Sequence, residues 1–114
     1  PCCLHPETAR AHGLIAGSVA LIQNTRGACL AGVTLSDNMR ADCILLATGA
    51  WLDLRDIDGQ VLCVHGNPNI LTLDKGSTGL SQGNVAHTAL VSISKWPKPL
   101  PEIRAHNLPR FVPA

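Results

Sequence analysis

Apolar residues along this chain come in short clusters separated by polar turns, and the period of each cluster predicts its structure. His5 to Gly13 predicts a short helix, with Pro6 at its first position, Glu7 in its first turn, His12 near its end and Gly13 to stop it. Leu14 to Gly17 turns the chain into Ser18–Gln23, a strand by its β-branched content. Asn24-Thr25-Arg26-Gly27 reads as a hairpin turn, with a positive φ expected at Gly27, and Ala28–Leu35 returns as the partner strand. Ser36–Asp42 is polar and turn-like, and Cys43–Ala47 is a buried strand running into Thr48-Gly49-Ala50-Trp51. Leu52–Gln60, alternating acidic and apolar, reads as a loop before the short apolar run Val61–Val64. His87–Ser94 alternates with period two and predicts the last strand. Pro1–Leu4 reads as a short extended lead-in, and beyond Trp96 five prolines forbid regular structure.

Val64 to Asn84 fits none of these templates. The stretch is too polar for a strand and too rich in glycine for an amphipathic helix, while Ile70, Leu71, Leu73 and Leu80 are expected to anchor it inward. A loop this long is functional or disordered, and the spaced apolar residues argue against disorder. It carries the carboxamides of Asn67, Asn69, Gln82 and Asn84, the hydroxyls of Thr72, Ser77, Thr78 and Ser81, the carboxylate of Asp74 and four glycines. Short polar side chains combined with approachable backbone N–H groups suit a nucleotide-like ligand with phosphates and a base edge.

Composition narrows the class. One domain's worth of chain, 114 residues, is 46% hydrophobic and 15% charged, and has a single Phe, two Trp and no Tyr. The core must therefore be built from Val, Ile, Leu and Ala, and the low charge suggests surface that is covered in use. A net charge of +1 and the scarcity of aromatic residues exclude a nucleic-acid platform. No apolar run reaches membrane-spanning length and no leader pattern opens the chain, which lacks an initiating Met and reads as an excised fragment. Five cysteines without C-x-x-C spacing favour buried thiols in a reducing compartment, hence the cytoplasm rather than the periplasm. Cys29, Cys43 and Cys63 lie in apolar runs, and adjacent Cys2 and Cys3 make a poor pair for one tetrahedral ion.

Five motifs in fixed order carry a resemblance: His5-Pro6-Glu7-Thr8-Ala9, Asn24-Thr25-Arg26-Gly27, Ala47-Thr48-Gly49-Ala50-Trp51, Gly66-Asn67-Pro68-Asn69-Ile70-Leu71-Thr72 with Asp74, and Leu80-Ser81-Gln82-Gly83-Asn84 leading to Thr88. Over roughly residues 4 to 104 the chain resembles the C-terminal dinucleotide-binding domain of the molybdopterin oxidoreductases, nearest the branch that reduces biotin sulfoxide, dimethyl sulfoxide and trimethylamine N-oxide. The resemblance implies a mainly β, double-psi β-barrel of the aspartate-decarboxylase-like class, with one or two short helices and an upstream strand missing. It implies a barrel over residues 1–96, a Pro-rich tail over 97–114, and upstream domains of the same polypeptide as partners. The implied cofactor is bis-molybdopterin guanine dinucleotide with molybdenum, held by the full-length enzyme and not by an inactive isolated fragment. Leu52, Leu54 and the order Ser77-Thr78 depart from the family pattern, and no cysteine inherits a metal-ligand role.

Guanine and pterin both present two N–H donors beside a carbonyl, an edge that a carboxylate or carboxamide can pair. Asn69, Asp74, Gln82 and Asn84 have these groups, and Thr72, Gly83, Thr48 and Gly49 offer hydroxyl or backbone donors at a loop mouth. These eight are the candidate cofactor contacts, although Asn and Asp also shape turns without any ligand. Arg26 is either a phosphate cation or a solvated hairpin residue, Trp51 packs on a ligand or an interface, and His65 and His87 flank the loop as ligand donors or structural residues. No paired carboxylates, Ser-His-Asp order or metal cluster appears, so no residue is assigned a catalytic or metal-ligand role. A stand-alone double-psi barrel serving protein interaction is the alternative. A pyruvoyl-type decarboxylase would need a self-cleaving Gly-Ser pair, and Gly17-Ser18 and Gly76-Ser77 lack its context.

Overall fold

The computed structural model describes residues 1–47, 50–72, 80 and 89–101. Among them the chain is mainly β. Seven strands run β1 (Cys2–Leu4), β2 (Val19–Gln23), β3 (Ala28–Leu35), β4 (Ile44–Leu46), β5 (Leu54–Ile57), β6 (Gln60–Cys63) and β7 (Ser92–Lys95), with one α-helix, α1 (Pro6–Ala11), and a 3-10 turn at Pro68–Ile70. They form one open mixed sheet in the order β4-β1-β3-β2-β7, with β6 pairing β3 and β5.

Strand β3 organises this sheet because three neighbours share it. Its first five residues pair antiparallel with β2, from Gln23↔Ala28 to Val19↔Gly32. Its last three pair parallel with β1, from Cys2↔Val33 to Leu4↔Leu35, and Cys29 pairs parallel with Cys63 of β6. Successive strand side chains point to opposite faces, and here both faces are covered. Cys29, Ala31 and Val33 join Cys2, Leu4, Ala20, Ile22, Cys63 and Leu71 in one core cluster. Ala28 and Leu30 join Leu21, Leu62, Val64 and Trp96 in the other. Two-sided burial explains why Ala28–Ala31 is an unbroken apolar run rather than an alternating one.

Pro1–Leu4 is extended as expected, and Cys2–Leu4 is a strand held between β3 and β4 with Cys2 and Leu4 fully buried. Other expectations need correction. Leu52–Gln60 is not a loop throughout, because Leu54–Ile57 pairs with Gln60–Cys63 across a two-residue turn at Asp58 (φ 51°) and Gly59 (φ 87°). Asp-Gly is the residue pair such a turn demands, since both positions need positive φ, and the Asp56 carboxylate accepts from Gly59 N at 2.9 Å. The last strand starts at Ser92 rather than His87, with residues 89–91 irregular and 87–88 outside the described residues.

Helix α1 follows its sequence signals: His5 Nδ1 accepts from Glu7 N at 3.1 Å, and Gly13 takes φ 69° just past the end. No helix among the described residues is long and apolar enough to cross a membrane. The start of the Pro-rich tail is tied down, with Trp96 Nε1 donating to Pro99 O at 3.3 Å and Lys98 Nζ 2.9 Å from Asp58 Oδ2.

All five thiols are free. Cys2, Cys29 and Cys63 are buried as expected of small hydrophobes, but Cys43 is exposed, contrary to its apolar neighbours in sequence. Burial pushes the Cys29 thiol up to about 12, with smaller contributions from Cys63 and Cys2, and burial raises Cys2 to about 11. At neutral pH both are protonated thiols. The ordinary value of such a thiol is 9.0, so between pH 9 and 11–12 the folded state holds protons that the unfolded chain has lost. Stability is then fully present below pH 9 and falls as pH rises through the folded values. Denaturant midpoints measured across that range should fall steadily, and less steeply for Cys29→Ala.

Candidate functional site

The long polar stretch begins where β6 ends, and its first turn is built by three asparagines. Asn67 Oδ1 accepts from Asn69 N at 2.9 Å, capping the 3-10 turn that Pro68 opens. Asn67 Nδ2 donates to Ala50 O at 3.0 Å and joins the turn to the segment after β4. From the other side Asn24 Nδ2 donates to Leu71 O at 2.7 Å and to Leu90 O at 3.3 Å. Arg26 Nε donates to the same Leu71 carbonyl at 2.9 Å. The β2–β3 hairpin therefore grips the C-terminal end of the turn, with Ile70 partly buried against the core and Leu71 buried within it.

Glycines make these approaches possible. A Cβ on Gly27 would lie 2.5 Å from Ile70 Cγ1 and 2.7 Å from Ile70 O. Gly27 does not take the positive φ expected from its turn position. Its reason for being glycine is this contact. Gly66 does have positive φ (71°) and is buried, with a Cβ there meeting Leu30 O at 3.0 Å. Gly66 thus packs the loop onto β3.

Of the eight candidate contacts, Asn69 and Thr72 lie in described structure. Thr48, Gly49, Asp74, Gln82, Gly83 and Asn84 lie outside the described residues, as does His87. Asn69 is exposed on the capped turn, and its side-chain carboxamide has no hydrogen-bond partner among the described residues. Thr72 Oγ1 donates to Asn69 O at 3.1 Å, placing a hydroxyl and a carboxamide on one short turn. Arg26 is exposed while its Nε is fixed, so it brings a cation to the same place. A carboxamide without a partner among the described residues, mounted on a turn held at both ends, fits a ligand edge that presents N–H and C=O groups together. Of the four apolar anchors, Ile70 and Leu71 serve as expected, Leu80 is fully exposed and Leu73 is outside the described residues. Among the described residues no three His, Cys, Asp or Glu side chains are placed to hold a metal ion.

The family model described as Molydopterin dinucleotide binding domain matches residues 1–90. The chain belongs to that family. Trimethylamine-N-oxide reductase of Salmonella typhi is 39% identical over 122 aligned positions, covering 100% of this chain and 14% of that protein. Biotin sulfoxide reductase of Cereibacter sphaeroides is 44% identical over 90 positions, covering 79% of the chain and 12% of the relative. Dimethyl sulfoxide/trimethylamine N-oxide reductase of Rhodobacter capsulatus is 35% identical over 100 positions, covering 87% and 12%. The chain thus spans about one seventh of the length of these relatives.

Asn24 carries a second task that sequence reasoning missed: besides closing its own hairpin, with Oδ1 accepting from Arg26 N at 2.9 Å and Gly27 N at 3.2 Å, it binds the site turn. Its signal was the Asn-Thr-Arg-Gly motif, whose hairpin role hides the contact 47 residues away.

Proposed function

We propose that the chain is the molybdopterin guanine dinucleotide-binding part of a longer molybdenum oxidoreductase that reduces S- or N-oxides. The observation that carries this reading is the exposed Asn69 carboxamide, fixed on a turn clamped from both ends inside the family-matched segment. Asn69 pairs with the donor and acceptor edge of guanine or pterin, and Asp74, Gln82 and Asn84 extend that pairing. Thr72, Thr48, Gly49 and Gly83 supply donors, and Arg26 adds charge for the pyrophosphate. An acceptor or donor buried against the ligand without its partner costs about 1–3 kcal/mol, which is the source of discrimination. The chemistry such a group supplies when bound is oxygen-atom transfer coupled to two-electron change at molybdenum, while this chain's residues bind and orient.

With this function goes a finer fold, the double-psi β-barrel over residues 1–96 followed by a tail over 97–114, packed against upstream domains. Free thiols favour a cytoplasmic setting. A stand-alone interaction barrel is less well supported, since it leaves the Asn69 carboxamide without a task.

The test is to purify the full-length protein and measure bound molybdenum and the GMP released by acid hydrolysis. Both are expected at near-stoichiometric levels, and absence of both from active protein would remove the cofactor reading. Asn69→Leu combined with Gln82→Leu should lower cofactor retention while the domain keeps its fold. Unchanged molybdenum content would show that these side chains are not contacts.

A further inference from the structure

His65 sits one residue before Gly66, where the two segments beside the site turn meet. Its side chain is 7% exposed. The ring nitrogen Nδ1 is 3.2 Å from Trp51 O, and Nε2 is 3.5 Å from Asp53 Oδ2. A carbonyl oxygen only accepts, so the first contact requires a proton on Nδ1. Asp53 is itself held by Arg55, whose Nη2 lies 3.0 Å from Oδ2. That pair is poorly exposed.

The links between the segments follow one another in order. Val64 N donates to Asp53 O at 3.0 Å, His65 Nδ1 meets Trp51 O, and Asn67 Nδ2 donates to Ala50 O. Only the last of these comes from the residue that caps the Asn69 turn, and its acceptor is the neighbour of the carbonyl that His65 holds. Releasing Trp51 O would let the Ala50 carbonyl rotate away from Asn67.

We propose that His65 is a positioning residue for the ligand-facing turn, its Nδ1–H fixing the 50–53 segment so that Ala50 O anchors Asn67 and Asn67 orients Asn69. The ligand side of this inference rests on the dinucleotide reading above. Asp53 and Arg55 lie behind the ring, and the Trp51 contact transmits the position. Two substitutions separate these contacts: the carboxamide nitrogen of His65→Asn falls near the position of Nδ1, and that of His65→Gln near Nε2.

The test compares the full-length protein with its His65→Asn, His65→Gln and His65→Ala variants by amide hydrogen exchange and by the GMP released from bound cofactor on acid hydrolysis. His65→Asn is expected to keep the protection of the Asn69 and Leu71 amides, which donate to Asn67 Oδ1 and Pro68 O. His65→Gln and His65→Ala should exchange about tenfold faster at those two amides, as expected for one lost hydrogen bond, and should release correspondingly less GMP. Amides of β2 and β3 should be unchanged in all three. Wild-type protection in every variant, equal loss in all three, or rescue by Gln instead of Asn would each overturn the proposal. If His65→Ala does not fold, the Asn and Gln pair alone decides between these outcomes. A wild-type protein that releases no GMP yet shows the expected exchange pattern would remove the dinucleotide reading and leave the positioning role. GMP release with a flat exchange pattern would do the reverse.

Discussion

Gly27→Ala is expected to push the Pro68–Thr72 turn off the β2–β3 hairpin and to weaken cofactor retention along with stability. The added methyl would stand 2.7 Å from the Ile70 carbonyl oxygen and 2.5 Å from its Cγ1, closer than atoms can pack. A flexible side-chain end could swing aside, but a backbone carbonyl moves only with its chain. Leu71 follows Ile70 directly and is buried in the core, and its carbonyl is the acceptor for both Asn24 and Arg26. Relief of the clash therefore comes at the expense of those two bonds. Overpacking of this kind costs about 1–3 kcal/mol. In the full-length protein, molybdenum content should fall further than the shift in unfolding midpoint alone accounts for, because the displaced turn carries Asn69. Gly32, in the adjoining strand β3, where an added Cβ meets nothing within 4 Å, is the control position. A Gly27→Ala protein with normal molybdenum content and normal stability would show that the hairpin does not support the turn.

How much of this was legible in the sequence depended on whether the signal was local. The β2–β3 hairpin and helix α1 are written in neighbouring residues, and both are found. Strand β1 was not legible, because Cys2–Leu4 is three residues long and its partners lie at 33–35 and 44–46. Strand β5 was misread for another reason. Leu54-Arg55-Asp56-Ile57 has weak strand propensity and partial burial, while the Asp58-Gly59 pair that announces its turn looked like one more loop signal. The site divides in the same way. Asn69 and Thr72 were chosen for their chemistry and do share one turn, whereas Asn24 and His65 act on that turn through backbone carbonyls, which no side-chain inventory reveals. A motif residue whose local role is already explained can still have a second partner far along the chain.

Asn24 shows the size of that second role. Asn24→Ala removes two donations, to Leu71 O and Leu90 O, and two acceptances, from Arg26 N and Gly27 N. The hairpin groups lie in exposed or half-buried positions and can turn to water. The Leu71 contact is part-buried, so its carbonyl keeps only Arg26, a long side chain that loses its own anchor when the hairpin loosens. Asn24→Ala should therefore destabilise the chain by about 2–3 kcal/mol, the upper range for loss of a partly buried hydrogen-bonding group. Asn24→Asp keeps the acceptor for the hairpin amides and loses the donor to Leu71. If the turn closure were all that mattered, Asp would restore wild-type stability and cofactor content. If the grip on the site turn matters, Asp should behave like Ala in molybdenum retention while recovering part of the stability. Unfolding midpoints and metal content measured on the same preparations separate the two, and equal wild-type values for Asp in both would confine Asn24 to its own hairpin.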